Sequence, residues 1–278
     1  MADTGIAARA SLAARAAPYR AVLGSRVRSQ RSYRASFAVD LLSSLLAGLV
    51  EIAEVWVLYR NAPVIGGLDF HQVLLVFGLA DICFSLADMV VGHCDTLPTY
   101  LRAGTLDVFY LRPQPLLAQL VTSDISLRRL ARVAVGVVAL VAGLWLTAPG
   151  WSLSTVALLA MALVFGTITF AAMFVLAAGL QFFVINGPEV TNAFVYGGRY
   201  AATQPASVWS KPLQALFGFA FPMAFTAYLP VLAMLDLPGS AWLPSWLGWC
   251  TPLAALWACA AAAIAWRCGV RHYQGGGG

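Results

Sequence analysis

Long apolar runs, separated by short stretches rich in proline, glycine and charge, set the pattern of hydrophobic and polar positions along the chain. A helix needs about 20 apolar residues to cross the hydrocarbon core of a bilayer, and the runs reach that length. The pattern therefore predicts an all-α polytopic membrane protein with six transmembrane helices. The predicted spans cover residues 37–59, 70–92, 130–148, 153–185, 208–228 and 246–268.

Two segments between these spans do not resemble plain loops. Residues 229–245 hold Pro230, Pro238 and Pro244 among apolar side chains, so they are too apolar for a free loop and too broken for a span. Such backbone is tolerated at membrane depth where protein packs around it, which predicts a re-entrant hairpin between helices five and six. Residues 189–206 follow a helix-terminating Asn-Gly-Pro sequence and are predicted to lie on the cytoplasmic side.

The basic residues predict how the spans are oriented. Sixteen of the 17 lie before span one, between spans two and three, at the start of span five or after span six, and Arg60 is the exception. Because short loops rich in arginine and lysine stay in the cytoplasm, both termini are predicted to be cytoplasmic.

The two ends of the chain differ from its body. Residues 1–36 carry seven arginines, and between residues 18 and 36 these are interspersed with apolar side chains, which predicts an amphipathic helix at the headgroups of membrane lipid. A disordered basic tail is the alternative, and it suits residues 1–17 better. Residues 37–274 are predicted to form one six-helix transmembrane domain, and the glycines at 275–278 a flexible tail.

Composition narrows the classes of function. With 60% hydrophobic and 10% charged residues, the chain is too apolar for a soluble domain. The single lysine, Lys211, lies outside any GxxxxGK[ST] phosphate-binding motif, and neither an HExxH pair nor a GxSxG turn occurs. We therefore expect no catalytic residue, no metal site and no nucleic-acid partner.

Acidic side chains inside the first two spans need a physical reason, because a charge at the bilayer centre costs roughly 2.5 to 3.5 kcal/mol. Asp81, Ser85 and Asp88 share one face of span two, and span one carries Glu51 and Glu54 towards its outer end. The basic residues within the predicted spans lie close to the span ends, so no intramembrane arginine or lysine is expected to pair with them. These residues predict either a water-lined path beside spans one and two, or acids satisfied by hydroxyls, backbone groups or a partner subunit.

Span five is rich in aromatic side chains around a proline. Pro222 removes a backbone hydrogen bond and is predicted to kink the helix near the middle of the membrane. A kinked aromatic helix is consistent with a route for amphipathic cargo, and equally with aromatic filler at a helix interface. The candidate path residues here are Phe221, Pro222, Phe225 and Tyr228.

Residues 97–124 form the longest loop between two spans on the predicted cytoplasmic side. With its own proline, glycine and charges, this segment is predicted to carry a short helix that lies along the membrane surface and docks onto a soluble partner. The alternative is a solvated loop that turns at Arg112-Pro113.

Several short motifs, in a fixed order around the spans, resemble those of a known family. They are Gly104-Thr105-Leu106-Asp107 before Leu111-Arg112-Pro113, Gln204-Pro205 with Pro212, Phe221-Pro222-Met223-Ala224-Phe225 before Tyr228-Leu229-Pro230, and Arg271-His272-Tyr273-Gln274. The chain resembles an ABC-2-type transporter permease, in particular the short six-span subunits of bacterial ABC exporters. The resemblance covers about residues 18–274.

The resemblance implies a permease subunit of an ATP-driven exporter in the bacterial cytoplasmic (inner) membrane, with spans one, two and five facing the pathway. Two copies of an ABC ATPase would bind ATP and Mg, and a second permease, a related six-span chain, would complete the pathway. The chain itself would hold no cofactor. The expected ATPase-coupling residues, in or near a coupling helix at about residues 97–107, are Tyr100, Leu101, Arg102, Gly104, Leu106, Asp107 and Arg112.

Two other classes remain open on the sequence. One is a proton-coupled secondary transporter that uses the intramembrane acids, although the internal repeat typical of such carriers is not evident. The other is an integral membrane enzyme that modifies lipid, for which no nucleophile, base or metal set is visible.

Overall fold

The computed structural model of the protein describes residues 34–123, 129–184, 189 and 191–273. Most of the predicted interfacial helix and the glycine tail lie outside the described residues. Within the described part, five helices are long and apolar enough to cross a membrane, and a bent helix pair adds a sixth crossing if it counts as one span. The chain is an all-α, multi-pass membrane protein.

A small β-hairpin joins the first two crossings. The chain runs from helix α1 (Arg34–Asn61) through strands β1 (Val64–Ile65) and β2 (Leu68–Asp69) into helix α2 (Phe70–Val91). Gly66 and Gly67 supply the positive φ angles that a tight two-residue turn requires. Asp69 and Gln72 then exchange hydrogen bonds in a capping box that starts α2. The side of the bundle that carries the hairpin is named the hairpin end, and the opposite side the far end.

The remaining elements are short segments at the two ends and three further long helices. In order they are a 3-10 turn (Gly92–Thr96), α3 (Leu97–Arg102), α4 (Asp107–Tyr110), α5 (Leu116–Ser123), α6 (Leu130–Thr147), α7 (Leu153–Gln181), a π-turn (Asn192–Tyr196), α8 (Gly197–Ala202), a 3-10 turn (Ala206–Val208), α9 (Lys211–Ala215), a π-turn (Leu216–Ala220), a 3-10 turn (Met223–Phe225), α10 (Tyr228–Met234), a 3-10 turn (Ser245–Cys250) and α11 (Thr251–His272).

Helix α2 lies at the centre of the bundle and packs against α6 and α7, while α11 packs against α7. Glycines allow the closest of these approaches. A side-chain carbon added at Gly78 would lie 2.4 Å from the backbone nitrogen of Leu140, and one at Gly143 would lie 2.9 Å from Leu75. Small residues that bring helix backbones together are the usual basis of packing where lipid removes the hydrophobic drive between helices.

The short helices at the far end have a core of their own. Leu97, Leu106 and Leu120 are completely buried together with Cys94 and with Ala178 near the end of α7. Residues 97–123 are therefore a folded layer that rests on the ends of the long helices, and the predicted short helix in this segment is present as α3.

The segment after α7 crosses the bundle, although the sequence predicted that residues 189–206 stay on the cytoplasmic side. At the far end, Gln181 Nε2 donates to Thr191 Oγ1 at 2.5 Å, and at the hairpin end Ser207 Oγ donates to the Gly66 carbonyl at 2.6 Å. The π-turn and α8 connect these two contacts. This crossing is short and contains Arg199, so no run of about 20 apolar residues marks it in the sequence.

The bent pair, Lys211–Ala220 followed by Met223–Met234, begins and ends at the hairpin end and is bent by 67°. Its first arm follows the contact of Ser207 with Gly66, and its second arm ends beside a cavity shared with Asp69 and Gly150. The bend lies near the middle of α7, since a side-chain carbon at Gly166 would lie 3.1 Å from the Thr226 carbonyl. This differs from the predicted span over residues 208–228 and the predicted hairpin over residues 229–245.

Helix α11 supplies hydrogen bonds to backbone carbonyls near the bend. Thr251 Oγ1 donates to the Phe225 carbonyl at 3.2 Å, and Trp257 Nε1 donates to the Ala220 carbonyl at 3.3 Å. Pro222 prevents a regular helix at the bend, so carbonyls there need partners from outside their own helix.

We expect Gly78→Val to destabilise the protein by about 1 to 3 kcal/mol, because the new side chain would have to push the α6 backbone away. The measurement is thermal unfolding of the detergent-purified protein. Gly150→Ala is the matched control, since nothing lies within 4 Å of a side-chain carbon at that position. Equal melting temperatures for the two variants would contradict the close approach of α2 and α6.

Candidate functional site

Four charged side chains from four elements meet inside the bundle. Arg199 of α8 donates from Nη2 to Asp81 Oδ1 of α2 at 2.6 Å and to Glu51 Oε2 of α1 at 2.5 Å. Its Nη1 donates to Glu51 Oε1 at 3.1 Å, and Arg132 Nη2 of α6 donates to the same oxygen at 2.9 Å. We refer to Glu51, Asp81, Arg132 and Arg199 as the Arg199 cluster.

The Arg199 cluster is buried at its centre, while the side chains of Arg132 and Glu51 are 23% and 24% exposed. Asp81 has no exposed surface, and 8% of Arg199 is exposed. The guanidinium carbon of Arg199 also lies 5.0 Å from the centre of the Phe84 ring, which provides a cation–π contact. Because charges inside a membrane protein are costly without partners, the cluster holds α1, α2, α6 and α8 in one arrangement.

The ion pairs correct the expectation that the intramembrane acids lack basic partners. Arg199 lies in a segment that crosses the bundle, although the sequence predicts that this segment is cytoplasmic. Arg132 reaches Glu51 from the first turn of α6. Glu51 is also deeper than predicted, level with the acid at the middle of α2. The signal that could have revealed the cluster is Asp81 itself, because an acid at the centre of a span requires a partner within the protein.

A second ion pair lies closer to the far end. Arg129 Nη1 approaches Asp88 Oδ1 at 2.6 Å and also donates to the Asp88 carbonyl. Tyr196 donates its hydroxyl hydrogen to Asp95 Oδ2 at 3.1 Å. Ser85 is buried between the two ion-paired acids of α2. The three polar residues predicted on this helix face therefore share the face, and both acids are bound to arginines.

A cavity of about 290 Å³ opens beside the Arg199 cluster, between α1, α2 and the end of α8. Its charged lining residues are Glu51, Arg199 and Glu54, which lies one helical turn further along α1 than Glu51. The cavity is lined by Glu51, Glu54, Val55, Leu58, Phe77, Arg199, Tyr200, Thr203 and Gln204.

The aromatic residues proposed for the path lie elsewhere. Phe225 and Tyr228 are buried in the core, and Phe221 packs against Phe194 with their ring centres 4.8 Å apart. With Pro222 they form the bend between the two arms and do not line this cavity. Of the residues proposed for the path, Glu51 lines the cavity directly, and Asp81 is joined to it through Arg199.

The residues proposed for coupling divide into exposed and buried groups. Leu106 is completely buried, so it holds α3 and α4 together and cannot face a partner. Tyr100 is half-buried, with its hydroxyl 3.1 Å from His93 Nε2, and Leu101 packs on the far-end core. The exposed members are Arg102, Gly104, Asp107 and Arg112.

Two exposed apolar side chains beside these residues were missed in the sequence. Leu111 is 84% exposed and Val108 is 52% exposed. Hydrophobic periodicity could not single them out, because the segment is too short to show which positions face inwards. Gly104, with a φ of 65°, makes the tight turn that places α4 next to α3. We refer to Arg102, Val108, Leu111 and Arg112 as the far-end surface.

Tyr273, just beyond α11, connects the end of that helix to α4. Its hydroxyl donates to Asp107 Oδ1 at 2.9 Å, and its ring stacks on Tyr110 with a centre-to-centre distance of 5.9 Å. Burial, followed by the hydrogen bond to Asp107, raises the pKa of Tyr273 to about 12. The phenol therefore stays protonated at neutral pH and remains a hydrogen-bond donor.

We expect Arg199→Leu to destabilise the protein by about 3 to 5 kcal/mol, because Asp81 would remain as an unpaired buried charge. The measurement is denaturant or thermal unfolding in detergent. Arg60→Leu is the matched control, since Arg60 is exposed, and it should cost no more than about 1 kcal/mol. Adding Asp81→Leu to Arg199→Leu should restore part of the loss, and a further loss instead would contradict the pairing.

The chain was compared with protein families, curated proteins and solved structures. Residues 45–277 match a family model described as ABC-2 family transporter protein, which agrees with the resemblance of the motifs. No curated protein and no solved structure matches the chain. Because the family match extends over most of the sequence, the protein belongs to the ABC-2 transporter family.

Proposed function

We propose that the chain is the transmembrane permease subunit of an ATP-driven ABC exporter in the bacterial inner membrane. It would form the translocation pathway with a second permease and take its energy from two ATPase subunits that bind ATP and Mg. The far-end surface carries the proposal, because exposed Leu111 and Val108 sit beside Arg102 and Arg112 on a layer anchored to the long helices. Apolar side chains flanked by charges suit docking to a soluble partner.

The contacts of this layer suggest how a partner would act on the pathway. Asp107 of α4 is hydrogen-bonded to Tyr273 at the end of α11, and α3 follows α2 through a single 3-10 turn. A push on α3 and α4 would therefore reach two long helices at once. The far end would be cytoplasmic in this arrangement, in agreement with the orientation predicted from the basic residues.

The pathway would lie on the side of α1 and α2 that carries the cavity. Helix α1 exposes most of its apolar side chains, which leaves a broad surface for a second permease or for lipid. The bent pair would enter the membrane from the outer side and return to it, so the re-entrant element would be Lys211–Met234. A related six-span chain as the second permease rests on the family resemblance.

The proton-coupled carrier is the weaker alternative. Asp81 and Asp88 are each bound to an arginine, so both acids have a counter-ion within the bundle. We therefore assign Asp81 and Asp88 a role in holding the helices of the bundle together.

We expect Val108→Asp to weaken binding of the ATPase subunit at least about tenfold, since a charge would have to be buried in an apolar contact. The measurement is the dissociation constant of the purified chain for the ABC ATPase subunit. Val64→Asp is the matched control, because Val64 is 63% exposed at the hairpin end. Unchanged affinity in Val108→Asp would contradict docking at the far-end surface.

We expect Tyr273→Phe to lower transport per ATP hydrolysed by about two- to tenfold, because the lost hydrogen bond to Asp107 is worth about 0.5 to 1.5 kcal/mol. Tyr110→Phe is the matched control, as both variants keep the stacked rings. The measurement is the ratio of transport to ATP hydrolysis in reconstituted vesicles. A ratio that falls equally in both variants would show that the hydroxyl of Tyr273 has no special part in coupling.

A further inference from the structure

Glu54 is an acid on an apolar surface without a counter-ion. It lies inside the candidate span of α1, its side chain is exposed, and it makes no ion pair with the residues that the structure describes. An ionised carboxylate at such a depth costs roughly 2.5 to 3.5 kcal/mol unless a positive charge or water compensates it. The surface around Glu54 should therefore attract a cation.

The charges around the cavity leave one negative charge unbalanced. Glu51 and Asp81 are neutralised by Arg132 and Arg199, at distances of 2.5 to 2.9 Å. Glu54, one turn along α1 from Glu51, adds a carboxylate without adding a base. The cavity as a whole therefore carries a single net negative charge, which suits one positive charge on a ligand.

The walls of the cavity suit an organic ion better than a hydrated metal ion. Val55, Leu58 and Phe77 are apolar, and Tyr200 adds an aromatic ring that is 63% exposed. A volume of about 290 Å³ is close to the lower end of the range for small-molecule sites. Aromatic rings also attract organic cations, whose charge is spread over a poorly hydrated surface.

We propose that this cavity binds a lipophilic organic monocation, with Glu54 as its counter-ion and Phe77 and Tyr200 as its aromatic walls. The identification of this cation as the cargo rests on the proposed function, whereas the binding itself does not. Arg199 would orient the site indirectly, by holding Glu51 away from the ligand charge and leaving Glu54 as the acid that meets it.

The test compares two probe ions of the same shape and opposite charge. Tetraphenylphosphonium and tetraphenylborate are titrated separately into the full-length chain in a non-ionic detergent, with calorimetric detection. We expect saturable binding of tetraphenylphosphonium, with an affinity at least about tenfold higher than that of tetraphenylborate. Equal affinities, or no saturable binding of tetraphenylphosphonium to the folded protein, would overturn the inference.

Three variants test the role of Glu54 itself. Glu54→Gln should weaken tetraphenylphosphonium binding at least about tenfold, and Glu54→Asp, which keeps the charge, should bind within about threefold of wild type. Asp236→Asn is the matched control, because it removes an exposed carboxylate at the same end of the bundle on another element. Equal losses in Glu54→Gln and Asp236→Asn, or none in Glu54→Gln, would overturn the inference.

The titration distinguishes this inference from the proposed function, because it needs neither ATP nor an ATPase. Loss of cation binding with normal ATPase docking would refute the cation site alone. Failure of ATPase docking with intact cation binding would refute the ABC permease assignment and leave the cation site standing.

Discussion

The structure depends on one constraint, the need to pair the charges that are buried inside the bundle. Asp81 is buried completely in α2, and only Arg199 is placed to neutralise it among the residues described. That requirement draws the short crossing of α8 into the bundle and, through Glu51, brings α1 and Arg132 to the same point. Breaking one partner would leave the others unpaired, so the cluster acts as a single unit.

Close packing between helix backbones is the second feature on which the structure depends. Glycines bring α2 and α6 into direct backbone contact, while α1 keeps a largely exposed face and contributes its acids to the cavity. The bundle thus combines a rigid centre with one open side.

The sequence predicted the membrane class, the long helices of spans one to four and six, and a folded segment after α2. The prediction from the sequence was wrong for the fifth crossing. The segment that crosses contains Arg199 and the short helix α8, so its hydropathy does not mark it as a span. Residues 208–228 are apolar enough to resemble a span instead. Hydropathy reports what lies against lipid, whereas the short crossing and residues 222–228 are packed mainly against protein. The site could be predicted only in part, because Glu51 and Asp81 are visible as acids inside the predicted spans but their arginines come from distant positions.

Helix α11 has a consequence for how insertions would be tolerated. Trp257 and Thr251 donate hydrogen bonds to the bend at one end of the helix, and Tyr273 donates one to Asp107 of the far-end layer at the other. Each residue of an α-helix turns the chain by about 100° around the helix axis. One residue inserted between Trp257 and Tyr273 would therefore rotate the contacts at one end of α11 relative to those at the other. The number of residues in α11 therefore fixes both the distance between its two sets of contacts and their relative direction around the helix axis.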